Sequence, residues 1–186
     1  MQNWSRRGRV SYITYKSSTL KAAVGQPNGT SRLCLACHDG TVALGMASGK
    51  SPSRSFSGLS QKMPVGRANL GYDLSDDHPV SFVYDGMLAA RNGELEHPAS
   101  LVGPVALDEA GRLQCTSCHT PHNNQFGDFL TKDNAFSGLC TTCHRIEDWQ
   151  LTAHRHSSSS WNGIFPDPWP NTEYTTVAAN ACQNCH

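Results

Sequence analysis

One short pattern accounts for every cysteine in this chain of 186 residues. Two cysteines are separated by two residues and followed at once by a histidine, and the pattern occurs four times. The copies are Cys34-Leu35-Ala36-Cys37-His38, Cys115-Thr116-Ser117-Cys118-His119, Cys140-Thr141-Thr142-Cys143-His144 and Cys182-Gln183-Asn184-Cys185-His186. Each copy places two thiols and an imidazole within about one helical turn. The fold must therefore accommodate four identical reactive groups.

This spacing is that of a c-type haem attachment site. Two thiols three positions apart match the two vinyl groups on one edge of a haem, and the next histidine then lies beneath the iron as its proximal ligand. We therefore predict four covalently attached haem c groups. The thioether cysteines are Cys34, Cys37, Cys115, Cys118, Cys140, Cys143, Cys182 and Cys185, and the proximal ligands are His38, His119, His144 and His186.

Three other uses of paired cysteines explain the pattern less well. Two Cys₄ zinc sites would use all eight thiols, but they give no reason for the histidine after each pair. A disulfide framework needs an even number of cysteines and no fixed histidine. A thioredoxin-like redox pair requires a βαβ context, which this sequence lacks.

Five further histidines are candidates for the distal face of the irons. His122 lies three residues after His119, so it is better placed to cap a neighbouring haem than its own. His154 and His156 flank Arg155, and His154 is the preferred ligand of the two. The full set is His78, His122 and His154, with His97 and His156 ranked below them. The set is large enough for every haem to be bis-histidine, and Met46, Met63 and Met87 lie in no recognisable ligand setting.

The composition favours a fold built around cofactors. Hydrophobic residues make up 38% of the chain and charged residues 16%, against a usual apolar share of about 45–50%. Such a chain buries little apolar surface by itself, and small proteins in that position depend on metals, disulfides or cofactors. We predict a single unit over residues 1–186, mostly irregular with short α-helices and few short strands, organised around a chain of four haems.

Local patterns add a few expectations. Residues 82–84 and 101–107 are predicted strands, and residues 41–46 and 133–143 are predicted helices. The leucine just before three of the motifs, at Leu33, Leu113 and Leu139, is expected to pack on a haem edge. The second and third motifs begin only 25 residues apart, so their haems should be close neighbours. Trp149, Trp161, Phe165 and Trp169 form an aromatic stretch rich in proline, which we interpret as haem packing or a contact surface.

Charge and hydropathy exclude some classes of partner. The formal net charge is zero and the pI is about 7.1, so no basic field points to nucleic acid. No apolar run approaches the roughly 20 residues of a membrane span, and no apolar segment follows the arginines near the N-terminus as a signal peptide requires.

Several longer stretches resemble a known family. They are Ser31-Arg32-Leu33-Cys34 through Val42-Ala43, Ser75-Asp76-Asp77-His78-Pro79-Val80-Ser81-Phe82, Gln114-Cys115 through His122-Asn123, and Trp149 to His154. Together they resemble multihaem cytochromes with doubled CXXCH motifs, among them the OmcE-type cytochromes that polymerise into extracellular filaments. The resemblance implies His78, His122 and His154 as distal ligands. Because an upstream motif of the family is absent and the chain stops at His186, we expect it to be clipped at both ends.

The resemblance and the motifs together indicate electron transfer rather than catalysis. We expect a subunit of an extracellular cytochrome filament with haem contact between subunits, or a cell-surface or periplasmic carrier. Its partners would be redox proteins, extracellular acceptors and further copies of the chain. The alternative is a multihaem oxidoreductase of the nitrite or hydroxylamine type, which needs one open iron with acid or base groups beside it.

Overall fold

The computed structural model describes residues 10–41, 62–160 and 175–183. Loops and turns make up most of these residues, which confirms the predicted, mostly irregular fold. The described helices are α1 Gly29–His38, α2 Gly86–Asn92, α3 Cys115–Cys118 and α4 Ala153–His156. The strands are β1 Ile13–Thr14, β2 Asp73–Leu74, β3 Phe82–Val83 and β4 Arg112–Leu113, and single 3₁₀ turns lie at Pro98–Ser100, Ala135–Ser137, Cys140–Thr142 and Trp149–Leu151.

The chain divides into two compact units, which we call the first unit (Met1–Phe82) and the second unit (Val83–His186). In the first unit, β1 pairs with β2 in parallel, with Ile13 opposite Asp73. A small core of Tyr12, Leu35 and Leu74 lies beneath this pair, and Val10 and Leu70 pack against it. Because Leu35 belongs to α1, this core holds the first motif against the sheet.

The second unit is assembled from short elements that side chains cap. β3, in which the division between the units falls, pairs with β4. The Asp85 carboxylate accepts a hydrogen bond from the Leu88 amide at 2.7 Å and so begins α2, as expected of an N-cap aspartate. α2 ends at Gly93, whose φ of +82° is the left-handed conformation common after helices. Its buried residues Leu88 and Ala89 anchor the helix.

Two of the predicted elements are wrong. Residues 101–107 form no strand, because Gly103 adopts a φ of +90° and Pro104 follows it, which bends the backbone away from a ladder. Residues 133–143 form two 3₁₀ turns rather than one helix, because Phe136 and Ser137 have φ values of +55° and +60°. A left-handed pair of residues cannot continue a right-handed helix.

Two other predicted elements have different outcomes. The predicted strand at residues 82–84 is confirmed over Phe82–Val83. The predicted helix at residues 41–46 falls almost entirely outside the described residues, and Thr41, which is described, belongs to no helix. The longest helix within the described ranges is α1, with ten residues, and none there has the length and apolar character needed to cross a bilayer.

Candidate functional site

The first motif occupies the end of α1. Leu35, between its two cysteines, is 1% exposed and packs into the core, whereas the Cys34 and Cys37 side chains are half-buried. Leu33, just before the motif, is 69% exposed, whereas Leu113 before the second motif is buried. Leu139, before the third motif, is half-buried, so the three leucines have different environments, and Leu113 is a core residue.

The imidazole of His38 is held by the backbone of its own unit. Its Nδ1 lies 2.7 Å from the carbonyl oxygen of Ala68. A carbonyl can only accept, so Nδ1 carries the proton and donates it. This tautomer leaves the Nε2 lone pair available for a metal, which is the arrangement of histidine ligands whose other ring nitrogen is bonded to a carbonyl.

The second motif repeats this arrangement on a different scaffold. α3 carries Cys115 and Cys118, and the Nδ1 of His119 donates to the carbonyl oxygen of Asp128 at 2.8 Å. The loop that delivers this carbonyl contains three consecutive left-handed residues, Gly127, Asp128 and Phe129, with φ values of +73°, +43° and +56°. Non-glycine residues in this conformation carry strain, which concentrates at functional sites.

The third and fourth motifs meet at Ser137, which is 0% exposed. Its carbonyl oxygen accepts a hydrogen bond from the Thr141 hydroxyl at 3.1 Å, inside the third motif. Its own hydroxyl oxygen accepts from the Cys182 amide at 3.0 Å, at the start of the fourth motif. The final three residues of the fourth motif, Asn184, Cys185 and His186, lie outside the described residues.

His144, the proximal candidate of the third motif, is exposed. It forms an antiparallel bridge with Leu95, and the neighbouring Glu96 amide donates to the Cys143 carbonyl at 2.8 Å. Backbone pairing therefore fixes the position of the third motif from both sides of His144.

Thiols of three motifs come together in the second unit. Cys140 is hydrogen-bonded to Cys182, and this bond, reinforced by burial, raises the pKa of the Cys140 thiol. Burial also raises the pKa of Cys118, and raises that of Cys143 to about 11 despite the opposing charge of Lys132. Thiols with raised pKa values are poor redox nucleophiles, which disfavours a thioredoxin-like role.

The preferred distal candidates lie on the protein surface. His122 and His154 are exposed, and within the described parts of the chain their rings form no hydrogen bond. The guanidinium of the neighbouring Arg155 lies 5.2 Å from the centroid of the Phe136 ring, so α4 contacts the 3₁₀ turn Ala135–Ser137. His78 is also exposed, and its Nδ1 lies 2.9 Å from the carbonyl oxygen of Pro79. This contact uses Nδ1 and not Nε2.

The two lower-ranked candidates use ring nitrogens for other contacts. Nδ1 of His97 accepts from the Ala99 amide at 3.2 Å, so the ring proton is on Nε2, which packs directly against Gly86 at the start of α2. Nε2 of His156 donates to the carbonyl oxygen of Gln150. Both rings therefore have structural roles, and the distal assignments of all five histidines stay predictions.

The donor set fits haem attachment better than the alternatives. None of the seven described cysteines forms a disulfide. Within the described ranges, no group of three or more histidine, cysteine, aspartate or glutamate side chains is arranged to hold a metal ion. Half-buried thiol pairs beside a carbonyl-held imidazole match the requirements of haem c.

Sequence reasoning missed several residues that shape these motifs. The carbonyl groups of Ala68 and Asp128 cannot be recognised in a sequence, because any residue supplies one. Asp39 directly follows the first motif in the sequence, but its residue type alone does not show that it is buried. It is 6% exposed, and its carboxylate accepts hydrogen bonds from the Tyr12 hydroxyl at 2.9 Å and the Thr41 hydroxyl at 2.6 Å.

Part of the second unit matches a known family. A family profile described as the doubled CXXCH motif matches residues 104–148, which contain the second and third motifs. No protein of curated function matches the chain. The family match supports a multihaem c-type cytochrome that transfers electrons. In such a protein, CXXCH motifs attach haem c covalently.

Proposed function

We propose that this protein transfers electrons through four bis-histidine haem c groups, one at each motif. The observation that carries this proposal is the pair of carbonyl-held imidazoles. At His38 and His119, a backbone carbonyl accepts from Nδ1 and leaves Nε2 for an iron. Two different local folds produce the same result, which is expected if iron ligation is the shared purpose of the motifs.

The chain's own residues supply position and environment. Bound haem supplies an iron that exchanges one electron at a time. The eight motif cysteines fix the groups, the four motif histidines orient them, and the buried segments around Leu35, Leu113 and Ser137 keep the attachment turns in place. Convergence of thiols from the second, third and fourth motifs supports close spacing of their haems.

Distal ligands can be assigned within each unit. Residues 1–82 contain one motif and one further histidine, His78, so we assign His78 to the haem at His38. In the second unit, His122 and His154 are assigned to two of the three haems, because their rings are exposed and not held by described residues. His97 and His156 are not assigned, since their ring nitrogens have structural partners.

Three assigned histidines for four irons support a ligand from outside the subunit. A second copy of this chain is the simplest source, which is the filament form of the proposal. The resemblance to extracellular filament cytochromes supports the same form and a location outside the cell or at its surface, with the periplasm as the alternative. Redox proteins or extracellular acceptors are the proposed partners at the ends of the haem chain.

The first test counts the haems and locates the ligands. Mass spectrometry of the intact chain should show four haem masses bound, and no haem would contradict the whole proposal. In electron paramagnetic resonance, His122→Ala and His154→Ala should each convert one haem from low-spin to high-spin. His97→Ala is the matched control, and it should leave the low-spin signal unchanged because its Nε2 packs on Gly86.

Concentration dependence separates the filament form from an open-iron enzyme. If a second copy supplies a ligand, one high-spin haem should appear on dilution and disappear as particles lengthen in electron micrographs. A high-spin haem that persists at every concentration and binds nitrite or hydroxylamine would instead favour the multihaem oxidoreductase.

A further inference from the structure

A buried carboxylate lies directly beside the first motif. Asp39 ends α1 immediately after His38, and 6% of its surface is exposed. Its partners are the hydroxyl of Tyr12 and the hydroxyl and amide of Thr41, at 2.6–2.9 Å. All of them are neutral donors, so they stabilise the negative charge without cancelling it.

The third motif has a neighbouring charge of the opposite sign. Nζ of Lys132 donates to the Thr142 hydroxyl at 3.0 Å, and Thr142 is one of the two residues between Cys140 and Cys143. The Thr142 hydroxyl, like the partners of Asp39, carries no charge. Lys132 is half-buried, and its charge acts on the Cys143 thiol. The ammonium group is therefore held at the turn that attaches the haem.

Such charges change how readily an iron accepts an electron. An oxidised iron carries one more positive charge than a reduced one, so a nearby anion favours the oxidised form and a nearby cation favours the reduced form. At an effective dielectric constant of about 20, a unit charge about 10 Å from an iron changes this equilibrium roughly tenfold. Exposed charges act far less, because water and salt screen them.

We infer that Asp39 and Lys132 separate the first and third haems in reduction potential, with the first haem lower and the third higher. The inference rests on the proposed attachment of haem at both motifs. It gives the chain a thermodynamic preference: an electron shared among its haems resides longer at the third motif than at the first.

The test is a spectroelectrochemical titration of the full haem-loaded chain, resolved into one-electron components. Asp39→Asn should raise one component, so that the ratio of oxidised to reduced haem at a fixed potential falls roughly tenfold, which is 59 mV for one electron. Lys132→Gln should lower a different, higher component by a similar factor. In the double variant both shifts should appear together, because the charges act on different haems.

Charge-retaining variants separate electrostatics from packing. Asp39→Glu and Lys132→Arg should stay near the wild-type potentials, and Tyr12→Phe, which disturbs the Asp39 site but keeps its charge, should shift less than Asp39→Asn. Equal shifts in Tyr12→Phe and Asp39→Asn, or unmoved potentials in both neutral variants, would overturn the inference. The exposed residues Lys16 and Glu109 provide controls, as Lys16→Gln and Glu109→Gln.

Haem loading shows whether a negative result contradicts the proposed function or only the inference about reduction potentials. Chains without haem by mass spectrometry would contradict the proposed function itself, whereas loaded chains with unmoved potentials contradict only the inference. If Asp39→Asn does not fold, the comparison of Lys132→Gln with Lys132→Arg decides: a shift in the first that is absent from the second supports the role of charge, and equal potentials contradict it.

Discussion

At the scale of single residues, the turn before the third motif is constrained by both burial and hydrogen bonds. Ser137 is fully buried and left-handed, and it connects the third and fourth motifs through its two oxygen atoms. Gly138 follows it in ordinary helical conformation, with φ of −59°. A Cβ at Gly138 would lie 2.9 Å from the carbonyl oxygen of Asp133 and 3.3 Å from that of Ala135, so space rather than conformation requires glycine here.

Gly138→Ala should therefore destabilise the second unit. Crowding against two backbone oxygens is expected to reduce the free energy of unfolding by about 1–3 kcal/mol, measurable by chemical denaturation. Gly66→Ala is the matched control, since nothing lies within 4 Å of its added Cβ. There we expect a change of no more than about 1 kcal/mol, in the stabilising direction. Equal effects at the two positions would show that crowding at Gly138 is unimportant.

At the scale of elements, side-chain hydrogen bonds stabilise a helix that is too short to be stable alone. α3 has only four residues, too few to be stable alone. The Ser117 hydroxyl accepts from the Gln114 amide at 3.0 Å, and Gln114 donates from its side chain to Asp108 at 2.8 Å. Asp108 also accepts from the amides of Ala110 and Arg112, both at 2.9 Å. The second motif thus begins on a hydrogen-bond network centred on one carboxylate.

This network predicts a pH dependence. The bond from the Arg112 amide, followed by that from Gln114, holds the pKa of Asp108 below its ordinary value of 3.8. A carboxyl group whose pKa is lowered on folding contributes stability above its unfolded pKa, and this contribution is lost as the pH falls through the folded pKa. The stability difference between wild type and Asp108→Asn should therefore be largest near neutral pH and shrink in acid. A difference that stays constant in denaturation series across the acid range would contradict this, and Glu109→Gln is the neighbouring control.

The elements show what sequence patterns can and cannot predict. The four motifs and the strand at Phe82–Val83 followed from residue types alone, because spacing and β-branched or aromatic residues act locally. The predicted helix over residues 133–143 is wrong because Phe136 and Ser137 adopt left-handed conformations. These two residues also form hydrogen bonds with Ala179 and Cys182, which are distant in sequence. The carbonyl groups bonded to His38 and His119 are also positioned by loops distant from the motif residues, so the sequence could not predict them.

At the scale of the whole molecule, the motifs divide unequally between the two units. The first unit holds one motif beside its own small core, and the second holds three. Within the second unit, Cys140 is hydrogen-bonded to Cys182 and interacts with Cys118. Attachment at the third motif should therefore affect its neighbours, whereas attachment at the first motif should be independent of them.

Haem counting after motif removal tests this difference. Replacing Cys34 and Cys37 by alanine should lower the bound haem by one per chain and leave the other three attached. Replacing Cys140 and Cys143 by alanine should lower it by more than one, since the second and fourth motifs lose a shared neighbour. Mass spectrometry of the purified chains gives the counts directly. A loss of one haem in both variants would mean that the motifs mature independently.

The carbonyl groups bonded to His38 and His119 have a consequence for ligation. Fixing the orientation of a side chain costs conformational entropy, and the Ala68 and Asp128 oxygens hold these two rings through their Nδ1 atoms. Proximal ligation at these two motifs should therefore depend on the loops that carry the two oxygens as well as on the histidines themselves.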